Sequence, residues 1–364
     1  MDHRRSVDWV LFLSTLVMVL FGLVMVYSAS YPEGYYHFHG DGFFFLRKQI
    51  YAGVAGLVVM IGASFVDYRI YRKLNKLVLF LAILATLSLF TTYGTEAYGA
   101  QRWIEIGGLN IQPSDIIKIA AVMFMAYYLE KHQGHIKRFT KGYLPILFLI
   151  IFFAGTIAIQ NDLSTSFVMA LTLGFMYMVA GGNLLHILMT ISTGSALIAY
   201  LIINEPYRTI RIVSFLDPFK YMDSYGWQVV QSLYALGTGG LFGMGLGQSR
   251  QKFFYIPLAY NDFIFSIIGE ELGFIGGFIV MIFYVVIMWR GFRIAINAKD
   301  AFGAFLAIGI TSLIGIQALV HIAVVTSSMP PTGIVLPFIS AGGTSLLINM
   351  ASIGILLNIS KNSI

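Results

Sequence analysis

Asp262 is the carboxylate best placed for chemistry. It stands where a long polar stretch, Asn204 to Glu271, gives way to an apolar run. The same stretch carries Arg208, Arg211, Arg250, Lys252 and a glycine-rich segment from Gly237 to Gly247. An ionisable group at the border of a lipid-crossing segment is a functional hypothesis by default. The plain alternative is a helix cap, a position that both Asp and Asn favour and that Asn261 could fill as well. Glu270 and Glu271 follow, about 12–13 Å further along a helix. Two adjacent carboxylates at that depth cannot both face lipid, so they turn into the bundle or a wet cavity, at least one of them in an ion pair with a neighbouring helix. Lys118 comes three residues after Asp115, on one helix face, either as a local ion pair or as a cation shared with a phosphate. Arg102 and Trp103 precede that helix, and Gln112-Pro113-Ser114 begins it, with proline at an ordinary first helical position. Asp162 separates two later apolar runs, where a cap is again the plain alternative.

One acid, several cations and a site at lipid level suit glycosyl transfer from a lipid pyrophosphate. Glycosidases need two carboxyls because one must protonate a poor leaving group. A pyrophosphate leaves unprotonated once its charge is neutralised. One carboxylate base is then enough, with arginine, lysine or a metal ion on the phosphates. The residues are compatible with this chemistry and do not by themselves name a substrate. Gly243-Met-Gly245-Leu-Gly247 is not a dinucleotide loop, since no strand precedes it and no acidic residue follows at the required distance. Its glycines suit tight turns of backbone that dips into the bilayer beside protein. His37 with His39, and His132 with His135, have weak metal spacing and read as loop histidines.

The elements that must position these residues are membrane helices. The chain is 58% hydrophobic and 11% charged, with mean hydropathy +0.79, against about 25% charged for soluble domains. It has no cysteine, which excludes disulfides and thiolate metal sites. Ten spans are expected, near 9–28, 49–66, 77–92, 113–129, 143–160, 164–181, 185–203, 263–289, 301–325 and 335–358. Backbone in lipid must bond internally, so these are helices, and no ten-residue alternating units of a membrane barrel occur. The first span is too long for a cleaved signal and is read as retained. With the N-terminus in the cytoplasm, fourteen Lys and Arg residues fall on the cytoplasmic side and eight outside, the asymmetry that sets orientation. The expectation is an all-α polytopic membrane protein with both termini cytoplasmic. It is a single domain, 1–364, of ten transmembrane helices, with a large extracytoplasmic loop, 204–262, between helices 7 and 8. No nucleic-acid partner is expected.

These residues resemble the SEDS proteins (shape, elongation, division and sporulation), the RodA, FtsW and SpoVE group. The likeness runs through Gln101-Arg-Trp103 with Gln112-Pro-Ser114, Tyr207-Arg208 with Arg211, and Ser214-Phe-Leu-Asp-Pro218. It continues through Gln231-Ser-Leu-Tyr-Ala-Leu-Gly237, Gly243-Met-Gly-Leu-Gly-Gln-Ser249 and Asp262-Phe-Ile-Phe265 with Gly269-Glu-Glu-Leu-Gly273. It closes with Pro330-Pro-Thr-Gly333 and Leu336-Pro-Phe-Ile-Ser340. The chain is nearest the FtsW and SpoVE side. The resemblance implies a ten-helix peptidoglycan glycosyltransferase, an inverting enzyme that polymerises lipid II at the outer face of the bacterial plasma membrane in division, elongation or sporulation. It carries the essential aspartate onto Asp262, as base and as metal ligand. It places Arg102, Trp103, Lys118, Asp162, Arg208 and Arg211 around the substrate. It further implies a divalent cation, magnesium or manganese, and a class B penicillin-binding protein, the transpeptidase, as partner in the lipid membrane. The family's Pro-Glu before the aspartate is here Pro257-Leu258. Its Gln-Pro-Asp is Gln160-Asn161-Asp162, and its Ser-Tyr-Gly-Gly is Ser340-Ala341-Gly342-Gly343. A lipid II flippase and an inactive scaffold for a transpeptidase are the alternative readings.

Overall fold

Apolar runs bounded by polar residues become helices almost wherever the sequence expects them. The computed structural model describes residues 7–89, 94–97, 100–106, 109–204, 206–223 and 226–362; Arg4 and Arg5 lie outside these. In chain order the helices are α1 (Trp9–His37), α2 (Phe44–Phe65), α3 (Arg69–Ser88), α4 (Pro113–Lys131), α5 (Leu144–Ala158), α6 (Leu163–Val179) and α7 (Leu184–Ile203). They continue as α8 (Pro206–Leu216), α9 (Trp227–Gly239), α10 (Ala259–Asp262), α11 (Ile264–Ile296), α12 (Ala301–Val325) and α13 (Gly343–Lys361). Among the described residues, six segments are long and apolar enough to cross a membrane: α1, α2, Phe139–Ala158, α11, α12 and α13. The protein is thus a predominantly helical membrane protein.

Three features depart from the expected outline. The polar stretch 204–262 is not open loop, because it holds α8, α9 and α10. The last helix begins at Gly343 rather than near 335. Pro337 lacks an amide hydrogen and disfavours helix at the residue before it, and Phe338 takes φ +67, so no regular helix forms over this segment. Between α3 and α4 lies a small antiparallel sheet of β1 (Gly94–Ala97), β2 (Ala100–Ile106) and β3 (Leu109–Ile111), in the order β1-β2-β3. It pairs Thr95 with Trp103 and Ile104 with Ile111, and buries Ile104 beneath it. This sheet carries Arg102 and Trp103, so their positions are set by ladder bonds rather than by a free loop.

α12 is the core of the bundle, packed on α4, α6 and α11 and buried over most of its length. A helix buried on every side reads as apolar all round. α2 and α13 approach closely through small residues: a Cβ on Gly354 would strike the Met60 carbonyl, and one on Gly56 would meet Met350 Sδ. Lipid offers no hydrophobic drive between helices, so such backbone approach is how they associate. At the opposite end from Asp262, Asp8 caps α1 by accepting from Leu11 N at 3.0 Å and receives Arg290 from α11 at 2.7–3.1 Å.

The decisive piece of local structure is a break in α11. Gly273 has φ +69 inside the helix, a conformation open to glycine at little cost. The break frees carbonyls on one side and amides on the other, and unpaired backbone groups are costly in an apolar interior. The glycine-rich segment after α9 takes them up. Met244 N and Gly245 N donate to the carbonyls of Glu270 and Glu271 at 2.9 and 3.0 Å. Phe274 N and Ile275 N donate to those of Gly240 and Leu241 at 2.8 and 3.2 Å. The approach needs glycine, since a Cβ on Gly243 would collide with the Glu271 carbonyl. The backbone dipping in beside protein, expected from the glycines, is this suture.

Candidate active site

Asp262 ends α10, two residues before α11 begins at Ile264. Phe263, not Asp262, occupies the cap position of α11. The backbone at Asp262 is held from two directions. Asn261 N and Asp262 N donate to Leu258 O at 2.9 and 3.4 Å, and Ala341 N donates to Tyr260 O at 3.0 Å. The Ser340 hydroxyl donates to Asn261 O at 2.6 Å and accepts from Leu336 N at 2.8 Å. Gln49 of α2, 3% exposed, grips the same turn on both sides. Its Nε2 donates to Ser340 O at 3.1 Å and its Oε1 accepts from Gly342 N at 3.2 Å.

Asp262 lines a cavity of about 3190 Å³ together with Arg102, Trp103, Asp115 and Asn161. Gly333, from Pro330-Pro-Thr-Gly333, is the hinge of this juxtaposition: a Cβ built there would lie 3.3 Å from Asp262 Oδ2 and 3.9 Å from Arg102 Nη1. Arg102 Nη2 donates to Asn161 O at 2.5 Å, while its buried Nε has no hydrogen-bond partner among the described residues. Asn161 presents that carbonyl from a left-handed φ of 57°, a region asparagine tolerates better than most residues. The site therefore joins a carboxylate to a guanidinium with donor capacity left over.

The other expected residues fall differently. Lys118 is buried behind the cavity wall, with Nζ 2.7 Å from Asp115 Oδ1 and 3.2 Å from Gln317 Oε1. Asp115 is the member of the pair that lines the cavity, and its Oδ2 is buried with no partner among the described residues. Asp162 caps α6, accepting from Thr165 N at 3.0 Å. Arg208 and Arg211 stand on α8, but their side chains lie outside the described residues. Glu270 and Glu271 face the bundle, as expected. Glu270 accepts from the Ser249 hydroxyl and from Arg250 N at 2.5 and 3.0 Å. Glu271 pairs with Lys252 at 2.9 Å. Among the described residues, no group of three His, Asp or Glu side chains could hold a metal ion. Sequence reasoning missed Gln49 altogether, because a lone glutamine in an apolar span carries no spacing signal.

A family model described as "Cell cycle protein", for FtsW, RodA and SpoVE, matches residues 8–364. The chain belongs to the FtsW/RodA/SpoVE family. It is 42% identical to Stage V sporulation protein E of Bacillus subtilis, covering 99% of this chain and 98% of that protein. It is also 42% identical to the Probable peptidoglycan glycosyltransferase FtsW of Trichlorobacter lovleyi, covering 97% and 93%. Among solved structures, it matches a chain from work on the structural coordination of polymerization and crosslinking by a peptidoglycan synthase complex. The TM-score there is 0.82 at 25% identity, over 98% of both chains. The rod-shape-determining protein RodA of Thermus thermophilus shares the fold, with TM-score 0.73 at 24% identity and the same coverage. Of the FtsW/RodA/SpoVE motifs quoted from the sequence, Arg102 and Trp103, Gln112, Asp262 and Phe263, and Pro330 to Gly333 line this cavity, and Ser340 supports the turn that carries Asp262.

Proposed function

We propose that this chain is a peptidoglycan glycosyltransferase that polymerises lipid II. The observation that carries the reading is Asp262 opposite Arg102 at one end of a large cavity, in a chain whose full-length relatives include proteins named for this activity. Asp262 accepts the proton of the acceptor sugar hydroxyl. The freed oxygen attacks the donor's anomeric carbon from the face opposite the pyrophosphate, the carbon–oxygen bond to pyrophosphate breaks, and undecaprenyl pyrophosphate leaves as an anion with inversion. General-base help of this kind contributes roughly 10²–10⁴-fold. Arg102, which lines the cavity beside Asp262, is the candidate to meet the phosphates, and an arginine fork suits them. Arg208 and Arg211 are further candidates and Trp103 frames the substrate from the cavity wall, while Lys118 and Asp162 serve it from behind that wall, through Asp115 and the start of α6. The cavity's apolar arm, with Ile150, Phe167, Leu171 and Ile191 on its walls, suits a prenyl chain.

A divalent cation fits this donor set in one form only. Asp262 offers a hard oxygen ligand without a surrounding carboxylate cluster, and magnesium is often held by one or two carboxylates plus substrate phosphates. Bound so, magnesium or manganese would neutralise pyrophosphate charge. We further propose ten transmembrane helices, α1 to α7 and α11 to α13, with both termini cytoplasmic and the region 204–262 outside. A class B penicillin-binding protein is the proposed partner, consistent with the matched chain of a synthase complex.

Purified protein in detergent, given lipid II and magnesium or manganese, is expected to form glycan chains. Asp262→Ala and Asp262→Asn are expected to abolish them in protein that still inserts and melts normally. Near wild-type polymerisation by Asp262→Asn would remove the base and metal roles. Transport of lipid II without glycosidic bonds would favour a flippase instead.

A further inference from the structure

Phe254 adopts φ +65, in the left-handed region where a bulky side chain is an outlier. Such strain persists only where the surroundings impose it, and it gathers at functional sites. Burial does not explain it, because Phe254 is 46% exposed. What the conformation achieves is placement. The ring lines the cavity that holds Asp262. It meets the rings of Tyr36 and His37, from the end of α1, at 5.5 and 5.7 Å with interplanar angles of 67° and 89°. Tyr36 is exposed and stands edge-on to Tyr35 at 5.6 Å. Glu33 and His37, 3.9 Å apart, line the same cavity, as does Lys48.

An aromatic cluster that includes an imidazole, with a carboxylate beside it and an ammonium in the same cavity, is the wrong surface for an acyl chain, which has no use for the polar groups. The lipid-level surface of α7 is built differently, from exposed Leu184, Leu188 and Ile191. A pyranose fits the cluster: its polarised C–H bonds lie against the negative face of an aromatic ring, and its hydroxyl and acetamido groups meet Glu33, His37 and Lys48. We infer that Phe254 and His37, backed by Tyr36, form a carbohydrate platform that takes the hexosamine units of the glycan strand in the cavity that holds Asp262. The inference rests on the glycosyltransferase reading and adds a product-binding subsite to it.

The full chain in lipid nanodiscs decides it, titrated calorimetrically with soluble glycan oligomers of several disaccharides, with glycan lengths measured separately after polymerisation. Phe254→Ala and Phe254→Leu are expected to bind the oligomer roughly 3–10-fold more weakly, about what one aromatic contact is worth, and to yield shorter strands. Phe254→Trp is expected to keep both affinity and length. If Phe254→Ala does not fold, Tyr36→Ala reports on the same cluster. Wild-type affinity and strand length in Phe254→Leu would overturn the platform and leave an interfacial anchor, which needs only apolar bulk. Absence of any polymer from the wild type would count against the glycosyltransferase reading, whereas oligomer binding would still decide the platform.

Discussion

Lys252 Nζ lies 2.9 Å from Glu271 Oε1, with the two side chains only 4% and 0% exposed. Ser28 of α1 donates to both Glu271 oxygens at 2.7 and 2.8 Å, and Lys252 also donates to Gly247 O at 2.7 Å. One ion pair thus ties the glycine segment to the broken helix and to α1. The break in α11 lies at Gly273, within a few residues of the pair, so the pair and the backbone suture hold the same joint.

Lys252→Met is therefore expected to destabilise the protein by about 3–5 kcal/mol, the usual cost of stranding one buried charge. Lys252→Met with Glu271→Gln is expected to recover much of that loss, since no charge is then stranded. Thermal unfolding in detergent micelles checks both. Equal melting of the single and double variants would mean the pair contributes nothing beyond its packing.

The helices were legible because lipid forces every apolar run into one backbone solution. The suture was half legible: glycines at Gly243, Gly245 and Gly247 indicated close backbone approach, but not that Gly273 breaks the helix they approach. At least one of Glu270 and Glu271 was expected in an ion pair with a neighbouring helix; Glu271 is the one, but its partner Lys252 follows the glycine segment, a pairing no local spacing reveals. The sheet holding Arg102 was not read, because its strands are three to seven residues long and lack a repeating apolar alternation. Asp262 stood out by its place at a polar–apolar border. Gln49 becomes visible only once chain segments far apart in sequence meet, and Gly333, legible as part of a motif, shows its place beside that carboxylate only then.

Lys118 and Asp115 form the second buried pair, and only Asp115 reaches the cavity. We expect Lys118→Met and Asp115→Asn each to lower both melting temperature and polymerisation. The double variant separates the roles: with neither charge stranded, its melting temperature is expected to rise back toward wild type while polymerisation stays low. Recovery of activity along with stability would make the pair purely structural.

Gln49 acts at one remove from the chemistry, through the 340–342 turn that supports Asn261 and Asp262. Gln49→Leu removes a donor and an acceptor from buried backbone groups, each worth about 1–3 kcal/mol when left unpaired. The expected kinetic signature is a fall in kcat with KM for lipid II little changed, as for a misaligned base rather than a lost substrate contact. Gln49→Glu retains the acceptor for Gly342 N and is expected to fall between wild type and Gln49→Leu. A change confined to KM would place Gln49 against the substrate instead.

Leu258 tests how the cation is held. It lines the cavity four residues before Asp262 and adopts φ +50 at the start of α10, where the family carries glutamate. With one carboxylate fewer beside it, Asp262 must share any cation with the donor's pyrophosphate oxygens. Weak binding of magnesium or manganese is therefore expected in the free protein, and tighter binding once lipid II is present. Leu258→Glu places a second carboxylate near Asp262, which raises the aspartate's proton affinity and strengthens cation binding. The variant is expected to need less cation for half-maximal polymerisation, with the larger gain in manganese binding measured without substrate. Superimposable titrations of wild type and Leu258→Glu, with and without lipid II, would remove the cation from this side of the cavity and leave Arg102 to neutralise the pyrophosphate.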